Sequence, residues 1–235
     1  CASSYKEILN DKNDVVAITT RHDTHSKAIC DALAANKNVY VEKPLALSIS
    51  ELEDINKAYT DNAKSQIMVG FNRRFAPSTN EIIQHFESVK SPLVINIRVN
   101  AGFIPADHWT QDAQEGGGRM IGEGCHFNDL ASAITKSNVK TIYAVGSSKE
   151  EKSALLNDNL CLSLTFENGS IANITYTADG SKAMSKEHIE VFGGGRSAQI
   201  KDFKEISLFD GDKKVKDKKL STQDKGQKLM IDSWL

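Results

Sequence analysis

The sequence predicts an α/β plus α+β protein. Residues 1–76 form a parallel sheet flanked by helices, and residues 77–235 form a domain with a mostly antiparallel sheet covered by helices. Apolar runs alternate with helical patterns in the first part, which marks a parallel sheet covered on both faces. Short alternating runs separated by turn residues dominate the second part. A charged pair and then a proline end the second strand.

The elements follow in order. Val15 to Thr20 reads as a buried strand, and Ser26 to Asn36 carries Ala28, Ile29, Ala32 and Leu33 at helical spacing. Val39 to Val41 is the next strand. Ser48 opens a helix with Glu51 three residues on, a capping box, and Leu52, Ile55 and Ala58 form its apolar face. Ile67 to Phe71 closes a β-α-β-α-β series. Pro77 to Val89 and Gly122 to Lys136 are helices, with a strand between them at Leu93 to Val99. Strands follow at Thr141 to Val145, Leu160 to Phe166, Ser170 to Thr177, His188 to Phe192, Ser197 to Ile200 and Ile206 to Phe209. Lys213 to Lys219 reads as a solvated hairpin, and Gln223 to Leu235 as a last helix.

The 235 residues carry a net charge of -2, which gives no reason to expect nucleic acid or an anionic membrane as partner. No apolar run spans a bilayer, and the start, CASSYKEILN, has neither a basic nor an apolar signal region. Cys1, Cys30, Cys125 and Cys161 are scattered, which argues against a zinc knuckle, a redox pair or a disulfide framework and for a reducing, cytoplasmic setting. Glu123 and His126 have a half-site spacing for metal with no second half, so no metal is expected.

The stretch VYVEKPLA puts Glu42 and Lys43 where a buried strand stops, at the lip of the sheet where ligands of α/β proteins bind. Four segments line up with it: TTRHDTHSKAICDALAANKNVYVEKPLA, GFNRRFAP, NAGFIPADHW and GGGRMIGEGCHFNDL. Together they resemble the Gfo/Idh/MocA family, the relatives of glucose-fructose oxidoreductase and inositol dehydrogenase. The resemblance runs essentially from end to end. It implies a partial Rossmann-like sheet in residues 1–76 and a substrate-binding and oligomerisation domain in residues 77–235. It also implies that the first βαβ unit, with its G-x-G-x-x-G turn, lies upstream, so that this segment alone would bind dinucleotide poorly.

The resemblance implies NAD or NADP as cofactor and assigns roles to residues here. Lys43 would orient a substrate hydroxyl and help move its proton, a task suited to a lysine whose pKa is lowered by burial and neighbouring charge. His126 would be the general acid/base. Glu42 would contact the nicotinamide ribose side and Pro44 would fix the turn. Thr19, Thr20, His22 and His25 lie in the region that matches the family's T-P-x-x-x-H stretch, and Asn72 follows the third strand; all five would line the cofactor. Arg73, His108, Trp109, Glu123 and Asp129 would contact substrate. Each has a plainer alternative. Lys43 could be a surface lysine, His126 structural, Asp129 (which could also hold the His126 ring) a surface acid, and Trp109 a buried anchor in place of a sugar-stacking surface. The sequence departs from the family at Gly122, where an Asp is usual. Glu123 is rotated by about 100° from that position on a helix and need not replace it.

Two function classes follow. One is an oxidoreductase moving hydride between NAD(P) and a secondary alcohol or ketone of a sugar, nucleotide-sugar or polyol. The other is a dinucleotide-binding sensor of the same fold, which Gly122 favours and Lys43 with His126 opposes. The partners expected are a small sugar-like molecule and copies of the same chain, since an open sheet face needs a cover.

Overall fold

The computed structural model describes residues 4–147 and 157–235. Cys1 therefore lies outside the described residues. The chain clusters into two compact units, Cys1–Gly70 with Asp107–Cys125, and Phe71–Ala106 with His126–Leu235. Residues 107–125 thus return to the first unit, a return that a single boundary after residue 76 leaves out.

The first unit runs α1 (Tyr5–Asn10), β1 (Val15–Ile18), a 3-10 turn (His22–Thr24), α2 (His25–Ala34), β2 (Asn38–Val41), α3 (Ile49–Asp61) and β3 (Ile67–Val69). The strands form a parallel sheet in the order β1-β2-β3, with Val16 opposite Val39 and Tyr40 opposite Met68. Ile18, Ile29, Leu33, Val39, Val41 and Ile55 make its core. A Schellman motif ends α2: Asn36 sits at φ 56° and donates to the Leu33 carbonyl, and Lys37 donates to that of Ala32. Ser48 caps α3 by accepting from the Glu51 N–H. The Glu51 carboxylate accepts from the Leu47 N–H, one residue before the cap, so the box closes one position early. The buried stripe of α3 is narrower than its sequence pattern: Ile55 is buried and Ala58 packs beside it, but Leu52 is 42% exposed. The short helix α1 has no sequence signature, since six residues with no fully buried side chain give no period to read.

The second unit contains a 3-10 turn (Asn72–Phe75), α4 (Pro77–His85), β4 (Val94–Asn100), α5 (Cys125–Thr135), β5 (Val139–Gly146), β6 (Asn159–Phe166), β7 (Ile171–Thr177), β8 (Glu187–Gly193), β9 (Arg196–Lys201), β10 (Glu205–Asp210), β11 (Lys213–Lys219) and α6 (Gln227–Trp234). Its eight strands are ordered β11-β10-β9-β8-β4-β7-β6-β5, all antiparallel except β4 with β7. Alternate residues such as Ile95, Ile97, Leu162, Ile174, Val191 and Ile200 face the core. The lysine-rich run is a full edge strand, β11, paired with β10 across Gly211. Charged edges of this kind resist pairing with other chains. The helix expected from Gly122 begins as a π-helical turn, Met120–Gly124, before α5 proper. Helix α4 ends at His85, four residues before the expected end.

Candidate active site

In the first unit, Glu42, Lys43 and Pro44 leave β2 at its C-terminal end. The Glu42 N–H still bonds the Ile18 carbonyl of β1 and the Gly70 N–H bonds that of Val41, so the crest of the sheet is held up to the charged pair. The Lys43–Pro44 peptide is cis. The buried His25 ring, at the start of α2, joins both strand exits. Its Nδ1 lies 2.8 Å from the Pro44 carbonyl and its Nε2 3.0 Å from that of Thr20. Both partners only accept, so a neutral ring donates to one of them at a time. His25 therefore acts as a brace.

Lys43 Nζ donates to the Gly122 carbonyl at 2.6 Å. The lysine thus meets the position where the resemblance leads one to expect an acid, through backbone and not through a side chain. A Cβ at Gly122 would lie 3.1 Å from Cε1 of His22, tighter than ordinary contact. His22 is buried and donates Nδ1–H to the Gly116 carbonyl at 2.8 Å. Burial lowers its pKa; the Gly116 bond opposes this, and Lys43 and His25 add to the lowering. Trp109 packs edge-on against His22 at 4.8 Å, and the Arg21 guanidinium lies over the indole at 5.4 Å while pairing with Glu115. Residues 107–125 are thereby strapped across the start of α2, with Trp109 as an anchor. The glycine run permits the path: Gly117 and Gly118 lie at φ 72° and 77°, and any side chain at Gly116 would strike the Thr110 backbone.

The remaining crest residues divide by exposure. Thr19 and Thr20 are exposed. Thr24 gives its hydroxyl proton to the Arg21 carbonyl, so the 2.5 Å contact with Thr20 leaves Thr20 the donor there, with oxygen lone pairs still able to accept. Glu42 accepts from the Tyr40 phenol at 2.7 Å, and burial followed by Glu42 pushes that phenol's pKa up. At Gly70 a Cβ would lie 3.0 Å from the Glu42 carboxylate, so glycine keeps the end of β3 clear beside it. Glu123 pairs with the buried Arg119, four residues earlier, so the expected substrate contact is an internal ion pair. His108 is exposed and caps its own 3-10 turn through Thr110.

In the second unit, His126 is 5% exposed near the start of α5, with the Phe71 ring edge-on at 6.0 Å. Both Asp129 carboxylate oxygens accept from one edge of the Arg74 guanidinium, Nε and Nη2, so the carboxylate expected to contact substrate or hold the His126 ring is engaged by an arginine. Burial raises the Asp129 pKa against the pull of Arg74. Arg73 does not project toward ligand. It is buried, makes a two-point pair with Glu187 at 2.8 and 2.9 Å, and lies over the Phe127 ring at 5.1 Å. Lys225 adds a third charge, 2.6 Å from Glu187. Asn72 is likewise structural, donating to the Lys225 carbonyl at 2.8 Å. Both looked like crevice residues because they follow β3; their partners lie more than a hundred residues away and leave no local signal. The residues missed by sequence are Tyr40, Arg74, Glu187 and the Gly122 carbonyl. Only Tyr40 had a signal, two positions before Glu42 on one strand face.

The comparisons with known proteins agree with this architecture. A family model described as an oxidoreductase family with an NAD-binding Rossmann fold matches residues 1–71, and one described as the GFO/IDH/MocA C-terminal domain matches residues 91–198. The chain belongs to the Gfo/Idh/MocA oxidoreductase family. It is 29% identical over 202 residues to the uncharacterized oxidoreductase YrbE of Bacillus subtilis, covering 83% of this chain and 58% of that one. It is 27% identical over 195 residues to the myo-inositol 2-dehydrogenase of Thermotoga maritima, covering 80% and 56%. A levoglucosan dehydrogenase solved with NADH and levoglucosan shares the fold at a TM-score of 0.79 and 19% identity, covering 94% of this chain and 65% of that one. The chain therefore spans somewhat over half the length of these relatives.

Proposed function

We propose that the protein is an NAD(P)-dependent dehydrogenase that moves hydride between the nicotinamide and a secondary alcohol or ketone of a sugar, nucleotide-sugar or polyol. The observation that carries the reading is Lys43, held at the crest of a parallel sheet by the Gly122 carbonyl. Membership of an NAD-binding family supports it, as do the inositol and levoglucosan dehydrogenases among the relatives.

The crest fits the nicotinamide end of a dinucleotide. Thr19 and Thr20 offer exposed hydroxyls, Glu42 a carboxylate, and Gly70 leaves the space beside that carboxylate free of a side chain. When bound, the nicotinamide supplies the hydride chemistry. Lys43 orients the substrate hydroxyl through its ammonium donors, and His126 takes the hydroxyl proton as general base. Pro44 and His25 hold the turn that presents Lys43.

The same reading includes a cytoplasmic setting, consistent with reduced thiols at Cys30, Cys125 and Cys161, and a homo-oligomer. The outer face of the eight-stranded sheet, with exposed Cys161, Ser163, Asn173 and Thr175, is the candidate cover surface. A dinucleotide-binding sensor is the second reading, and Gly122 in place of the family acid favours it. Nicotinamide absorbance of the full-length protein, followed with NAD or NADP and a panel of polyols, sugars and nucleotide-sugars, separates the two. Turnover supports the enzyme; dinucleotide binding with no turnover on any substrate supports the sensor.

A further inference from the structure

We propose that a cavity at one end of the eight-stranded sheet binds the phosphate groups of a nucleoside diphosphate. This rests on the dehydrogenase reading for its meaning and narrows the substrate class to nucleotide-sugars. The cavity lies wholly within the second unit. It has a volume of about 540 Å³, within the range of small-molecule sites. Three segments line it: the exit of β4, the loop between β7 and β8, and the end of β9.

The charge of the lining is one-sided. Lys182, Lys186 and Lys201 contribute three ammonium groups, and Asp202 is the one carboxylate. Its Oδ1 accepts from the Glu187 N–H at 2.7 Å, and three lysines against this one carboxylate leave the lining net positive. Neither Lys182 nor Lys201 makes an ion pair among the described residues. Lysine ammonium groups serve as point charges for phosphate. A neutral polyol would have no use for three of them.

The loop that carries Lys182 and Lys186 is fastened in place. Arg98 of β4 donates to the Ser185 carbonyl and hydroxyl, each at 2.8 Å. Asn100 donates its side-chain amide to the Ser181 carbonyl at 2.7 Å, and its N–H to the Lys186 carbonyl at 2.7 Å. At Gly180 a Cβ would fall 2.1 Å from the Asn100 side chain, so glycine lets the loop close onto the strand end. None of these contacts involves Lys43 or His126. They fix the loop backbone that carries Lys182 and Lys186 before any ligand arrives, which lowers the ordering cost of binding.

Two large apolar side chains of the lining segments stand in solvent. Met184 lines the cavity and is 56% exposed; Phe103, 70% exposed, follows the lining residue Gly102 in sequence. The Phe103 ring is assigned to the base whose phosphates fill the cavity, where base–aromatic stacking would contribute about 1–3 kcal/mol.

The test is calorimetric titration of the full-length protein with UDP and with inorganic pyrophosphate, in saturating NADH or NADPH, whichever the protein binds more tightly, so that the dinucleotide site is filled. UDP is expected to bind. The Lys182→Ala/Lys201→Ala double variant, at exposed positions with an unchanged melting temperature, is expected to weaken UDP and pyrophosphate at least tenfold. Phe103→Ala is expected to weaken UDP severalfold and leave pyrophosphate unchanged. Absence of UDP binding, or unchanged UDP affinity in the lysine variant, would overturn the proposal. UDP binding no tighter than pyrophosphate would overturn its nucleoside part. Turnover is not read, so an inactive protein would still give an answer.

Discussion

Lys43 Nζ donates to the main-chain carbonyl of Gly122 at 2.6 Å, across 79 residues of sequence. The backbone at 122 thus engages the lysine, and the His22 ring limits the room for a side chain there. Its Cε1 lies 3.1 Å from where a Cβ at Gly122 would stand. Gly122→Asp should therefore destabilise the protein by about 1–3 kcal/mol through overpacking. His22→Asn should relieve the clash, with a coupling of at least about 0.5 kcal/mol in a double-mutant cycle from urea unfolding. Additive effects would show that His22 does not set the residue at 122.

The Arg73–Glu187–Lys225 cluster makes a second prediction. Arg73→Met leaves Glu187 with Lys225, but removing Glu187 leaves the buried Arg73 guanidinium unmatched, so Glu187→Met should cost about 3–5 kcal/mol in unfolding free energy. The double variant Arg73→Met/Glu187→Met should recover most of the loss. Recovery would separate a structural ion pair from a ligand-binding arginine.

The pH dependence of stability should show two windows on the acid side. His22 has a folded pKa below its ordinary 6.5, so the unfolded chain takes up its proton first. Its contribution is complete above 6.5 and declines as pH falls from there through the folded value. For Glu187, burial alone would raise the pKa, but Arg73 and Lys225 hold it below the ordinary 4.5. That contribution is complete above 4.5 and is lost as pH falls through the folded value. Denaturation curves of His22→Asn and Glu187→Gln against pH should each lack one window and keep the other.

Ser48 caps α3 through the Glu51 N–H. Ser48→Ala should cost about 1 kcal/mol, read as a lowered urea midpoint with an unchanged slope.

The β-α-β-α-β series was legible because each strand is an apolar run with turn residues at its ends, although only β2 is buried along most of its length and the expected buried strand β1 exposes Val15 and Ala17. EKP was legible because proline stops a strand where a ligand can reach it. Other features depended on distance in space. Asn72 and Arg73 sit in the right place for a crevice, yet Lys225 and Glu187 claim them. Trp109 had two readings until His22 and Arg21 closed on it. The parallel pairing of β4 with β7 inside an otherwise antiparallel sheet has no local signature, since it follows from strand order. The lysines of β11 mask a paired edge strand because charge there serves the edge and not the core.

The most direct test of the dehydrogenase reading is the turnover of full-length Lys43→Met and His126→Ala variants, with dinucleotide binding measured alongside. Loss of a positioned proton-handling group should lower kcat by about 10²–10⁴ in each while dinucleotide affinity stays within a few fold. Parent-like turnover in either variant would contradict the role assigned to that residue, and parent-like turnover in both would remove the proposed proton-handling pair altogether.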